Sequence, residues 1–214
     1  MNVPGLRCEA APDGWRLRAA IAIALLILGV ASSPLSANSE PAKVNASLAG
    51  PGSADWLPKV NLIDQNGSPR TLASLKGKPV LLSFIHTSCQ GPCEMLTAEM
   101  KSVAKALGPK FTSKVTMVSI TTDPKHDRPG QLLAYAKAQG VGGDGWVFLT
   151  GRPDQIQRLL ALYGVPADED EDPTAHVMEL FLLGPNGARL RHYDGDAIAP
   201  AEIATDIRAG AAPR

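Results

Sequence analysis

The chain has 214 residues, 44% hydrophobic and 20% charged, with a formal net charge of zero. That balance excludes a disordered polyelectrolyte and leaves no surplus of Lys and Arg to hold a nucleic-acid backbone. The length suits one ordinary domain plus an extension.

The extension comes first. Arg16 and Arg18 lead into an unbroken apolar run from Ala19 to Ala31. As a helix this run reaches about 20 Å, short of a bilayer core of roughly 30 Å, which suits the apolar region of an export signal. Cleavage after Ala37 is one expectation; an uncleaved anchor over residues 19–35 is the other. Residues 1–37 are therefore read as signal peptide or membrane anchor. The remainder is expected to be exported and periplasmic, touching a membrane only through the N-terminus. Removing residues 1–37 leaves 18 basic and 19 acidic side chains, so the exported part is near neutral.

Residues 38–55 are rich in Ser, Ala, Pro, Gly and Asn without an apolar period, and read as a flexible linker. From Trp56 to the C-terminus the pattern becomes that of a folded domain. VNLID and RTL flank Asn66-Gly67, a hairpin signal at the domain's N-terminal end. Val80 to Ile85 is a continuous apolar run suited to a central strand, and a helix follows to about Leu107. Val115 to Ile120 predicts a second strand, TTDPKHDRPG a loop, Gln131 to Ala138 a helix, Trp146 to Leu149 a short strand and Pro153 to Leu162 another helix. The acidic run Asp168 to Asp172 reads as a solvated loop. His176 to Leu183 and Arg189 to Tyr193 form a hairpin, and a helix follows Pro200. Alternating strands and helices closed by an antiparallel hairpin predict an α/β, thioredoxin-like fold, its mixed central sheet flanked by helices, with an N-terminal hairpin extension.

Chemistry concentrates between the first central strand and its helix, in T-S-C-Q-G-P-C at residues 87–93. Cys8 precedes the apolar run, so Cys89 and Cys93 are the exported part's thiols and can pair only with each other. Pro92 suits a first helical turn, which would set Cys93 among unpaired N–H groups at the positive end of the helix dipole and lower its thiol pKa. Three intervening residues let the sulfurs converge on one disulfide or one shared ion. An inert structural disulfide is the plain alternative. Copper(I) favours thiolates, and two thiolates with one imidazole would make a low-coordinate copper site that zinc would find incomplete. The candidate histidines are His86, on a strand read as buried; His126, in a loop where solvation is the plain account; His176, at a strand end; and His192, on an outer hairpin arm. Spacing alone does not choose among them.

F-I-H-T-S-C-Q-G-P-C at 84–93, S-I-T-T-D-P-K-H-D-R-P at 119–129, W-V-F-L-T-G at 146–151 and H-V-M-E-L-F-L-L-G-P-N-G at 176–187 occur in this order. With them the chain resembles the Sco/SenC proteins from about Trp56 to its end. The resemblance implies copper chaperones and thiol-disulfide oxidoreductases used in cytochrome c oxidase assembly. It further implies one copper ion per chain on Cys89, Cys93 and His176, with the two cysteines also a redox-active pair. The implied partners are a copper-containing oxidase subunit and a thiol reductant or another copper carrier. Family members usually have Pro after each cysteine, where this chain has Gln90 and Glu94, and Tyr is frequent at the place of His86. Three readings share the fold: a copper carrier, a thiol-disulfide oxidoreductase without copper transfer, and a protein with only a structural disulfide. The match at the histidine as well as the cysteines favours the carrier.

Overall fold

The computed structural model describes residues 55–166, 178–194 and 199–210. The expected signal or anchor, nearly all of the linker and His176 lie outside them. Among the described residues no helix is long and apolar enough to cross a membrane.

Seven strands among the described residues form one sheet. They are β1 (Asn61–Asp64), β2 (Pro69–Thr71), β3 (Val80–Ile85), β4 (Thr116–Thr121), β5 (Trp146–Thr150), β6 (Glu179–Leu183) and β7 (Arg189–Asp194). Four α-helices among the described residues accompany them: α1 (Pro92–Leu107), α2 (Pro129–Ala138), α3 (Pro153–Tyr163) and α4 (Pro200–Ala209). The strand order is β2-β1-β5-β4-β3-β6-β7. β3, β4 and β5 run parallel, while β6 joins β3, β7 joins β6, and β1 joins β5 and β2 in antiparallel pairs. The sheet is mixed, as expected, and the elements fall within a few residues of their sequence-based bounds.

The N-terminal hairpin turns where Asn-Gly requires it. Asp64 accepts the N–H of Asn66 and of Ser68, each at 2.9 Å, and Gly67 takes a φ of 81° that a side chain would resist. Hydrogen bonds to its carboxylate hold Asp64 below the usual range, even against its burial.

β3 is buried on both faces, which explains its unbroken apolar run. Leu81 and Ile85 pack with α1, α2 and α4; Val80, Leu82 and Phe84 pack on the opposite side with α3. α1 buries Cys93, Leu96, Met100, Val103 and Leu107, a three-and-four spacing that turns one face to the sheet. Asp55, the last residue of the expected linker, bonds to the domain: its carboxylate accepts from the Leu57 N–H at 3.1 Å and pairs with Lys76 at 2.8 Å.

Candidate metal centre

The site begins where β3 leaves the sheet after Ile85. The chain bends back at once, with the Cys89 N–H donating to the His86 carbonyl at 3.2 Å. Gly91, at a φ of 99°, turns it into α1, and Pro92 fills a first-turn position where no N–H is needed. Cys93 follows within that turn, and its N–H donates to Cys89 Sγ at 3.4 Å. Both cysteines are reduced thiols packed into the core beneath α1, 3% and 7% exposed.

The two sulfurs and a ring nitrogen of His86 all lie within 4.8 Å of one another. His86 is half-buried, and its Nδ1 stands 3.0 Å from the Ser88 hydroxyl. The sequence left the direction of this side chain open, because a strand buried on both faces shows no alternation to read.

Thiol electrostatics differ from the expectation for a helix N-terminus. Burial, with the Cys89 thiol beside it, pushes the Cys93 thiol up to about 12. A hydrogen bond from the His86 backbone works in the opposite direction and does not prevail. The expected lowering at Cys93 is therefore corrected: the residue is desolvated by its own helix packing.

The other described histidines stand elsewhere. His126 has a side chain 80% exposed and pairs with Asp123 at 2.7 Å, in keeping with a solvated loop. His192 stacks on Phe181 with ring centroids 4.6 Å apart and lies 3.5 Å from Glu179. Phe181 belongs to the core on the α3 side, so His192 faces away from the cysteines. His176 lies outside the described residues.

Sequence reasoning missed Asp127. Set in the loop before α2, its carboxylate is 2% exposed and accepts from the Thr87 N–H at 3.0 Å and from the hydroxyls of Thr87 and Thr121. It ties the cysteine loop to the end of β4. The available signal was an Asp shortly after a strand that ends in Thr, but Lys125, His126 and Arg128 around it gave the segment a solvated look. Tyr135 of α2 was missed too. Its hydroxyl donates to the Cys93 carbonyl at 3.1 Å and lies 2.9 Å from the Thr97 hydroxyl, bracing the first turn of α1.

A family model described as SCO1/SenC matches residues 50–212. The chain belongs to this family. A SCO1 protein homolog of Bacillus subtilis is 33% identical over 150 residues, 68% of this chain and 77% of the relative. Among solved structures, BsSco, a member of the Sco family of cytochrome c oxidase assembly proteins in which a disulfide switch was identified, superposes with a TM-score of 0.62 and 28% identity. The match spans 72% of this chain and 92% of BsSco. ScoI of Bradyrhizobium japonicum, with copper bound, superposes with a TM-score of 0.57 and 31% identity over 70% and 95% of the two chains. The neighbours carry the thioredoxin-like arrangement anticipated from the order of elements.

In this SCO1/SenC chain the donors at the mouth of α1 are soft. Two sulfurs and an imidazole suit copper(I), whereas oxygen ligands wanted by magnesium or calcium are absent from the described cluster. Converging sulfurs also permit a disulfide. The same geometry is compatible with a shared metal ion on two thiolates and with a bridge between the two sulfurs.

Proposed function

We propose that the chain is a copper carrier that acts in cytochrome c oxidase assembly, with Cys89, Cys93 and His176 as ligands for one copper ion per chain. The observation that carries this reading is the pair of buried sulfurs of Cys89 and Cys93 converging with the His86 imidazole within 4.8 Å at one strand-to-helix turn, while His176 enters as the ligand that the family resemblance implies. The copper-bound Bradyrhizobium japonicum relative, 31% identical, supports copper as the cargo. The Sco-family assignment of BsSco to oxidase assembly supports an oxidase subunit as the recipient. Export by residues 1–37, as a cleaved signal peptide or an uncleaved anchor, a linker over residues 38–55 and a folded domain over residues 56–214 complete the proposal. They would let the site face a neighbour on the periplasmic side.

Copper requires thiolates, so the Cys93 proton must leave when the ion enters, and a Cys89–Cys93 disulfide must exclude it. The test is stoichiometric copper(I) loading of reduced and oxidised protein under anaerobic conditions. One ion per reduced chain and none per oxidised chain is the expected result; equal loading of both would overturn the reading. A second reading, thiol-disulfide exchange by the same pair, has its support in the convergence of the sulfurs and in the disulfide switch of BsSco. Reduction of an oxidase-derived disulfide by copper-free protein would distinguish that activity from delivery.

A further inference from the structure

We propose that His86 is itself a ligand of the copper cargo, giving this chain a three-donor site contained in residues 86–93. The inference rests on the carrier reading and extends its ligand set. With bond lengths of roughly 2.0 Å to nitrogen and 2.3 Å to sulfur, donors around one small ion stand about 3.5–4 Å apart. The His86 nitrogen and the two sulfurs, all within 4.8 Å of one another, need to close by no more than roughly 1.3 Å to reach that separation.

The trio is also anchored. His86 directly follows the buried strand β3, and its carbonyl holds the Cys89 N–H. The neighbouring hydroxyl of Ser88 lies against Nδ1, and the Cys89 sulfur accepts the N–H of Cys93. Asp127 fixes Thr87 between them. Such an arrangement limits the reorganisation needed for binding, as a site built on strand and helix ends should. Two sulfurs and one nitrogen satisfy copper(I) in low coordination, so residues 86–93 can hold the ion by themselves.

The experiment uses the full chain carrying Cys8→Ser, so that cysteine sulfur can come only from Cys89 and Cys93. Copper(I) affinity is measured by competition with a chromophoric chelator, and histidine ligation by X-ray absorption. His86→Gln, which keeps a polar group for Ser88, should weaken binding about tenfold or more and remove one histidine shell. His176→Ala should retain a histidine signal, supplied by His86, and the His86→Gln/His176→Ala double variant should show sulfur alone. Wild-type affinity and unchanged histidine scattering in a folded His86→Gln protein would overturn the inference. So would loss of all histidine scattering in His176→Ala, which decides the matter even if His86 variants fail to fold. Cys89→Ser/Cys93→Ser tests the carrier reading separately: copper binding that survives it defeats that reading whatever His86 does.

Discussion

The backbone N–H of Cys93 donates to the sulfur of Cys89 at 3.4 Å. A first-turn amide of α1 is thus directed at the sulfur of the residue four positions earlier. The Cys93 thiol, pushed up to about 12 by burial, keeps its proton at neutral pH. Limited alkylation of the reduced, copper-free chain should therefore modify Cys89 before Cys93. Peptide mapping after a short iodoacetamide pulse reads the order; preferential labelling of Cys93 would refute the asymmetry. Copper should protect both positions.

Burial of Cys93 also gives stability a pH dependence. Its thiol rises from an ordinary value of 9.0 to about 12 in the folded chain, so between these values the folded state holds more proton than the unfolded one. Stability is then fully present below about pH 9 and falls as pH rises toward 12, by at most roughly 1.4 kcal/mol per pH unit. Tyr135, raised to about 12 by burial, contributes with the same sign at higher pH. The Cys93 part is isolated by comparing urea unfolding of reduced wild type and Cys93→Ala across this range. Parallel curves for the two proteins would show that Cys93 contributes nothing to the slope.

Asp127 should be among the costliest polar residues to replace. Its buried carboxylate satisfies the amide and hydroxyl of Thr87 and the hydroxyl of Thr121, and Asp127→Ala leaves all three without this acceptor. The expected loss is about 2–4 kcal/mol of unfolding free energy. Asp127→Asn, which keeps shape and one acceptor oxygen, should lose less. Because Thr87 lies two residues before Cys89, weakened copper(I) binding should accompany the loss in both variants. A stability change under about 0.5 kcal/mol for Asp127→Ala would show that the clamp is not needed.

How far the site could be read in advance depended on the kind of signal. Cys89 and Cys93 were legible because two cysteines, a Pro and a strand-to-helix junction are all local features, and local geometry brings the sulfurs together. The mixed sheet was legible because each buried strand stands out as an apolar run between turn residues. The high pKa of Cys93 was not, since it comes from packing of α1 against distant parts of the chain, and the helix dipole alone gives the opposite sign. Asp127 and Tyr135 were hidden likewise: each reaches the cysteine segment across about 40 residues of sequence. His86 was visible as a candidate, but its position beside the sulfurs depends on how the chain leaves β3.

The folded domain needs its chain from Trp56 onward. Trp56 lies 9% exposed; its N–H donates to the Gly187 carbonyl at 3.0 Å, and its own carbonyl accepts from the buried hydroxyl of Tyr163. Its ring meets Tyr163 edge-on at 5.3 Å and lies 4.3 Å beneath the Arg189 guanidinium. Leu57 is fully buried beside it. These contacts close the α3 side of the sheet, and Asp55 adds its bonds to Leu57 and Lys76. A chain starting at Asp55 should therefore unfold cooperatively and bind copper as the full chain does. Starting at Pro58 instead removes Trp56 and Leu57 and strands the Tyr163 hydroxyl. The loss of the Trp side chain alone should cost about 3–5 kcal/mol. Urea unfolding of the two truncated chains makes the comparison. If the chain beginning at Pro58 matched the longer one in midpoint and slope, Trp56 would be a passenger on the domain and the boundary would lie further along the sequence.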